Sequence, residues 1–173
     1  MKKLKNKVLP NKLQFYLQKA TTHLAQLPTR KTLIDWVKIA LQNVPDALPA
    51  QNLELTMRLV DTAESAQLNE QYRQKRGPTN ILSFAGGPDP AGESSYYLGD
   101  LVVCVPLVFQ EAAEQDKPAM MHWAHLTVHG VLHLLGYDHI KPAEAAAMEA
   151  LEIKILEQLG YKNPYISKNS SLF

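Results

Sequence analysis

The chain has 173 residues, 46% of them hydrophobic and 20% charged, with a formal net charge of +1. That length suits one domain with its own core, and the composition excludes a disordered or fibrous chain. One cysteine, Cys104, excludes an intrachain disulfide, and no run approaches the ~20 apolar residues of a membrane span, so a cytoplasmic protein is expected.

The N-terminus is basic but is followed by no apolar run of signal-peptide length. Residues 1–31 hold eight Lys/Arg (Lys2, Lys3, Lys5, Lys7, Lys12, Lys19, Arg30 and Lys31) and no acid, which leaves −7 for the rest. Residues 1–12 read as a basic extension, either an arm for nucleic-acid phosphates or simply a solvated terminus. The domain is expected over 13–165, with a polar tail over 166–173.

Leu13, Phe15 and Leu17 alternate with polar or amphipathic neighbours, which predicts a strand. Leu33, Trp36, Val37, Ala40, Leu41 and Val44 recur at helical spacing, so 29–44 is an amphipathic helix ended by Pro45 and Pro49. Leu53, Leu55, Met57 and Leu59 share one face of a second strand, 53–60. Asp61 and Glu64 stand as in a capping box, opening a helix that runs to Tyr72 or Arg73. A turn over Lys75, Arg76, Gly77 and Pro78 leads to a short third strand, 80–84, and the Gly/Pro/Asp-rich 86–95 reads as a loop.

A fourth strand, 98–105, is nearly all apolar and therefore central. Pro106 suits the first turn of a helix reaching Gln115. Another helix begins near Pro118 and stops at Gly136. Pro142 opens the last one, with Ala145, Met148, Leu151, Ile155 and Leu156 as its buried face and Gly160 at its end. From Asn163 the chain turns polar. About four strands in a mixed sheet with about five helices, not strictly alternating, indicate an α+β fold.

Five of the six histidines fall between His122 and His139. His129 and His133, four apart on a helix, share a face and can point at one ion. Gly136 can take a positive φ and stop that helix, so the chain can turn back and present His139. Three neutral imidazoles with one open position is the arrangement of a catalytic zinc. The spacing is also that of metzincin proteases, where a glutamate follows the first histidine as general base. Here that place is Gly130, which accepts no proton and argues against proteolysis. His125 and His133, eight residues or ~12 Å apart along the axis, cannot share one ion.

The run HGVLHLLGYDH, together with PTNILSF from Pro78 and YYLGDLVV from Tyr96, resembles the YbeY family of bacterial metal-dependent endoribonucleases. The resemblance spans roughly Leu13 to Tyr165. It implies a metal-dependent endoribonuclease of single-stranded RNA, acting on ribosomal RNA precursors at the small-subunit 3′ end and on defective ribosomal particles. It implies that Arg73 is functional, its guanidinium holding the scissile phosphate in bidentate fashion. The expected ion is a single Zn2+ that acidifies a water, although imidazole also suits copper, iron and nickel. Two other readings stay open: a hydrolase of another substrate class, and an RNA-binding assembly factor with a structural zinc.

Several further side chains carry two readings. Asp138 either orients His129 or His133 or caps the turn. His122 and His125 are packing, surface or ligand-supporting residues. Thr79 and Asn80 look like turn ties. Ser83 has no identifiable base beside it and is not read as a nucleophile. Cys104 and Met148 read as core.

Overall fold

The computed structural model describes residues 10, 12–46, 48–50, 52–91 and 95–166, and the Lys2, Lys3, Lys5 and Lys7 of the basic extension and the tail beyond 166 lie outside them. In chain order the elements are β1 (Lys12–Ala20), α1 (Arg30–Asn43), β2 (Asn52–Val60), α2 (Thr62–Arg73), β3 (Ile81–Pro88), β4 (Ser95–Cys104), α3 (Val105–Glu114), α4 (Ala119–Leu134) and α5 (Pro142–Gln158). The four strands form one sheet ordered β1-β2-β4-β3. β1, β2 and β4 are parallel and β3 runs antiparallel at the edge beside β4. The expected α+β architecture is the observed one.

Alternation along the strands splits the apolar residues between two faces. Leu53, Leu55, Met57, Leu59, Leu101 and Val103 join the main core, with Leu33 of α1, Trp123 and Leu132 of α4 and Ile155 of α5. Val60, Leu82 and Val102 form a smaller cluster with Leu68 of α2 and Phe84. The histidine helix α4 thus lies on one face of the sheet and α2 on the other. Helix α4 is buried nearly all round, including Trp123, Val128, Val131 and Leu132 at 0% exposure. Burying each such side chain contributes on the order of 2 kcal/mol, which makes α4 a rigid platform for whatever it presents.

Two local expectations are corrected. Asp61 precedes α2 but makes no side-chain cap. Its carboxylate instead accepts from Thr21, Thr22 and His23 beyond the end of β1, while Glu64 pairs with Arg58 at 2.7 Å. The capping box is lost because both carboxylates find cationic or hydroxyl partners across the sheet end. Next, the segment expected as a loop from Gly86 contributes to β3, with Gly87 paired to Tyr97 and Pro88 to Tyr96. Pairing with a central strand overrides the turn-forming composition, and Pro88 is tolerated because β3 is an edge. The chain after α5 folds back on the protein: Lys117 Nζ donates to the Pro164 carbonyl at 2.7 Å.

The basic residues near the chain start are partly committed to structure. Arg30 donates to the Phe15 carbonyl at 2.6 Å and its guanidinium lies 5.9 Å from the Phe15 ring centre. Lys31 pairs with Asp35 at 2.6 Å one turn along α1.

Candidate metal centre

The end of α4 explains why three histidines meet. The Gly136 amide donates to the His133 carbonyl at 3.0 Å and the Tyr137 amide to Leu132 at 3.0 Å. These are the paired bonds of a Schellman motif, which needs a left-handed residue after the helix. Gly136 has φ +91°, a conformation strained for any residue with a Cβ. The chain reverses there, and Asp138 Oδ1 accepts from the His139 amide at 2.7 Å. Asp138 therefore ties the turn that carries His139, which settles its two readings in favour of the turn.

His129, His133 and His139 converge, with one nitrogen from each lying within 4.8 Å of the others. Ring centres are 4.5 Å apart for His129–His133 and 5.1 Å for His133–His139. The two helical imidazoles point Nε2 at Nε2 across 3.0 Å. Bonds of about 2.0–2.1 Å at tetrahedral angles would place ligand nitrogens about 3.3 Å apart, so these side chains fit a small tetrahedral ion with slight opening. His139, with 59% of its side chain exposed, leaves the site open to solvent. Burial first, then the neighbouring His129 and His139, pushes His133 below the usual histidine range, so it is neutral and able to coordinate near pH 7.

Gly130, expected only as a missing base, has a second role. A Cβ there would come within 2.8 Å of both Ile81 Cδ1 and Leu101 Cδ2. Its α-hydrogens face the sheet, so α4 can approach β3 and β4 closely. Ser83 Oγ, at 3.5 Å from the Gly130 carbonyl, crosses the same narrow gap.

Three polar residues around the histidines went unread in the sequence. Glu152 of α5 is fully buried, with Oε1 2.5 Å from His129 Nδ1 and Oε2 3.3 Å from His125 Nε2. The Tyr165 hydroxyl donates to the same Oε2. Burial alone would raise the Glu152 pKa, but hydrogen bonds from His125, His129 and Tyr165 outweigh it and hold it at about 2. Burial, reinforced by Glu152, raises the Tyr165 hydroxyl far above the usual tyrosine range. Further along α4, His122 Nε2 lies 2.7 Å from Glu111, which also accepts from Asn80 Nδ2.

A cleft runs from Asn80 and Glu111 past His122 and His125 to His129 and Tyr165. Asn80 Oδ1 accepts from the Ile81 amide at 2.7 Å, so Asn80 ties its turn as expected, whereas Thr79 is held through its backbone by Ser65 Oγ. Arg73 stands elsewhere. It ends α2, exposed, on the opposite face of the sheet from α4, and its neighbour Tyr72 packs edge-on against Phe84 at 5.0 Å. The turn after Arg73, held by Asn69 Nδ2 on the Gly77 carbonyl at 2.9 Å, leads round the sheet to Asn80 at the cleft mouth. The structure thus brings the three histidines together and does not place Arg73 among them.

Comparison with known proteins places the chain among similar ones. A family model described as endoribonuclease YbeY matches residues 17–160. A Colwellia psychrerythraea protein named Endoribonuclease YbeY is 50% identical over 143 residues, covering 83% of this chain and 91% of its own. A Coxiella burnetii protein of the same name is 49% identical over 144 residues, covering 83% and 93%. The solution structure of TM1509 from Thermotoga maritima shares the fold, with a TM-score of 0.52, 22% identity, and coverage of 85% of this chain and 88% of that one.

Proposed function

The chain belongs to the YbeY endoribonuclease family, and from that membership we propose that it cleaves single-stranded RNA with a zinc ion held by His129, His133 and His139. The observation that carries this reading is the convergence of three imidazoles at a solvent-open position, next to a cleft lined by Asn80, Glu111, His122, His125 and Tyr165. When bound, the ion supplies an acidified water near neutral pH and polarises a phosphoryl oxygen.

The chain's own residues do the rest. His129 and His133 are held by α4, the most buried of the described helices, and His139 by a turn locked at Gly136 and Asp138. Arg73 offers a guanidinium with no ion-pair partner among the described residues and clamps an RNA phosphate in bidentate fashion. The single-strand preference rests on the flexibility a strand needs to reach an ion set in a cleft. Gly130 provides no carboxylate where a metzincin has its base, and its surroundings admit none, which separates this site from peptidases. The substrates we propose are ribosomal RNA precursors, at the small-subunit 3′ end, and the RNA of defective ribosomal particles, in the cytoplasm. Among the described residues no helix is long and apolar enough to cross a membrane.

The test of the RNA reading compares wild type with Arg73→Glu on a single-stranded ribosomal RNA fragment and on the same fragment annealed to its complement. Wild type should cut the single strand only, and Arg73→Glu should lose about 100-fold in kcat/KM while folding normally. Equal cutting of strand and duplex, or an active Arg73→Glu variant, would remove RNA-strand recognition from the account.

A further inference from the structure

We propose that Glu152 is the positioning residue that prepares His129 to bind metal, and that Tyr165 of the C-terminal segment locks Glu152 for that task. The inference rests on the reading of His129, His133 and His139 as ligands.

An imidazole coordinates through a nitrogen that carries no proton, and a neutral histidine has one such nitrogen of two. His129 Nε2 faces His133 and His129 Nδ1 faces Glu152 Oε1 at 2.5 Å. An ionised carboxylate only accepts, so the proton resides on Nδ1 and the lone pair of Nε2 is directed at the metal position. Without Glu152, the ring is free to place its proton on Nε2 and point it at the ion. The same contact stops the ring from turning about its bond to Cβ and makes Nε2 a better donor to the ion.

Glu152 cannot easily move. It is 0% exposed, and its second oxygen takes the Tyr165 hydroxyl and His125 Nε2. His125 has its other nitrogen buried with no partner, so its single described hydrogen-bonding function on this side is toward Glu152 and Tyr165. Tyr165 arrives on a segment fastened by Lys117 to the Pro164 carbonyl. The chain end is thereby connected to ligand orientation through two hydrogen bonds.

A competing use of the same atoms is a second metal held by His125, His129 and Glu152, whose ligand atoms also lie within 4.8 Å of one another. An ion there would strip the Nδ1 proton from His129 and force one imidazole to bridge two cations. The closely packed donor-to-acceptor contacts favour a proton at Nδ1 over an ion.

The experiment uses full-length, metal-free wild type, Glu152→Gln and Tyr165→Phe, with zinc affinity measured by competition against a chromophoric chelator. Histidine tautomers are read by long-range proton–nitrogen NMR, and the thermal midpoint of each metal-free protein is recorded. Wild type should bind one zinc with His129 protonated at Nδ1. Glu152→Gln should bind roughly 10- to 100-fold more weakly with a metal-free midpoint close to wild type, and Tyr165→Phe should lie between. Unchanged affinity in a folded Glu152→Gln, two zinc ions per wild-type chain, or His129 protonated at Nε2 would each overturn the proposal. If Glu152→Gln fails to fold, the wild-type tautomer and stoichiometry still decide it. Wild type that binds no zinc at all would instead refute the three-histidine site, while the tautomer would remain readable.

Discussion

Single residues here do work that their chemistry alone does not announce. Gly130 could be read in the sequence as the absence of a base, yet the packing of Ile81 and Leu101 against it appears only once the helix is laid on the sheet. Gly130→Glu, which restores the metzincin pattern, should therefore cost ~3 kcal/mol or more in urea denaturation, because it drives a carboxylate into an apolar contact, and should confer no peptidase activity. A stable Gly130→Glu protein would show that the gap between α4 and the sheet is looser than described. Glu152 was legible in part. It interrupts the buried stripe of Met148, Ile155 and Leu156 on α5, and an acid in such a stripe needs a partner. Which partner it has, 23 residues back in the chain, depends on how α4 and α5 pack, and helical periodicity carries no such information.

Among the elements, the helices and central strands followed from hydrophobic spacing, and the errors gathered where partners are remote. Gly86 to Pro88 looked like a loop because its composition is that of one, while the ladder to Tyr96 and Tyr97 is non-local. Asp61 and Glu64 looked like a capping box because a local motif cannot reveal Thr21, His23 and Arg58 nearby. Asp61 consequently has a depressed pKa, caused first by the Thr21 hydroxyl and then by the Thr22 amide. A depressed carboxylate contributes stability that is full above its unfolded pKa of about 3.9 and fades as pH falls toward the lower folded value. Asp61→Asn should thus be less stable than wild type at pH 7 in urea titrations, with the gap narrowing below about pH 4; a gap independent of pH would exclude the charge as its source. At the end of α4, Gly136→Ala should lose about 1–2 kcal/mol through left-handed strain, and it should weaken zinc binding more than Gly160→Ala, a comparable positive-φ site after α5. Equal effects on zinc affinity would separate the Gly136 turn from the placement of His139.

For the whole molecule, the sequence carried the three clustered histidines and the α+β class, and it could not say on which face of the sheet each helix lies. Arg73, for example, ends α2, across the sheet from α4. The amphipathic pattern of a helix identifies its buried side, not the surface it is buried against. The three histidines come from one helix and the turn after it, so the candidate site is local in sequence while its support from α5, Tyr165 and β3 is not. An ion bound only by the folded chain should stabilise it by about 4 kcal/mol at a thousandfold excess over Kd, which a zinc-dependent rise in thermal midpoint would register. The central claim, that the three-histidine site drives RNA cleavage, is tested most directly by metal removal and return. Metal-free wild type and His133→Ala, both confirmed folded by circular dichroism, are given a single-stranded ribosomal RNA fragment before and after addition of one equivalent of zinc. The account predicts no cutting by either metal-free protein, and recovery with zinc in wild type alone. Cutting by metal-free wild type, or equal recovery in His133→Ala, would contradict it.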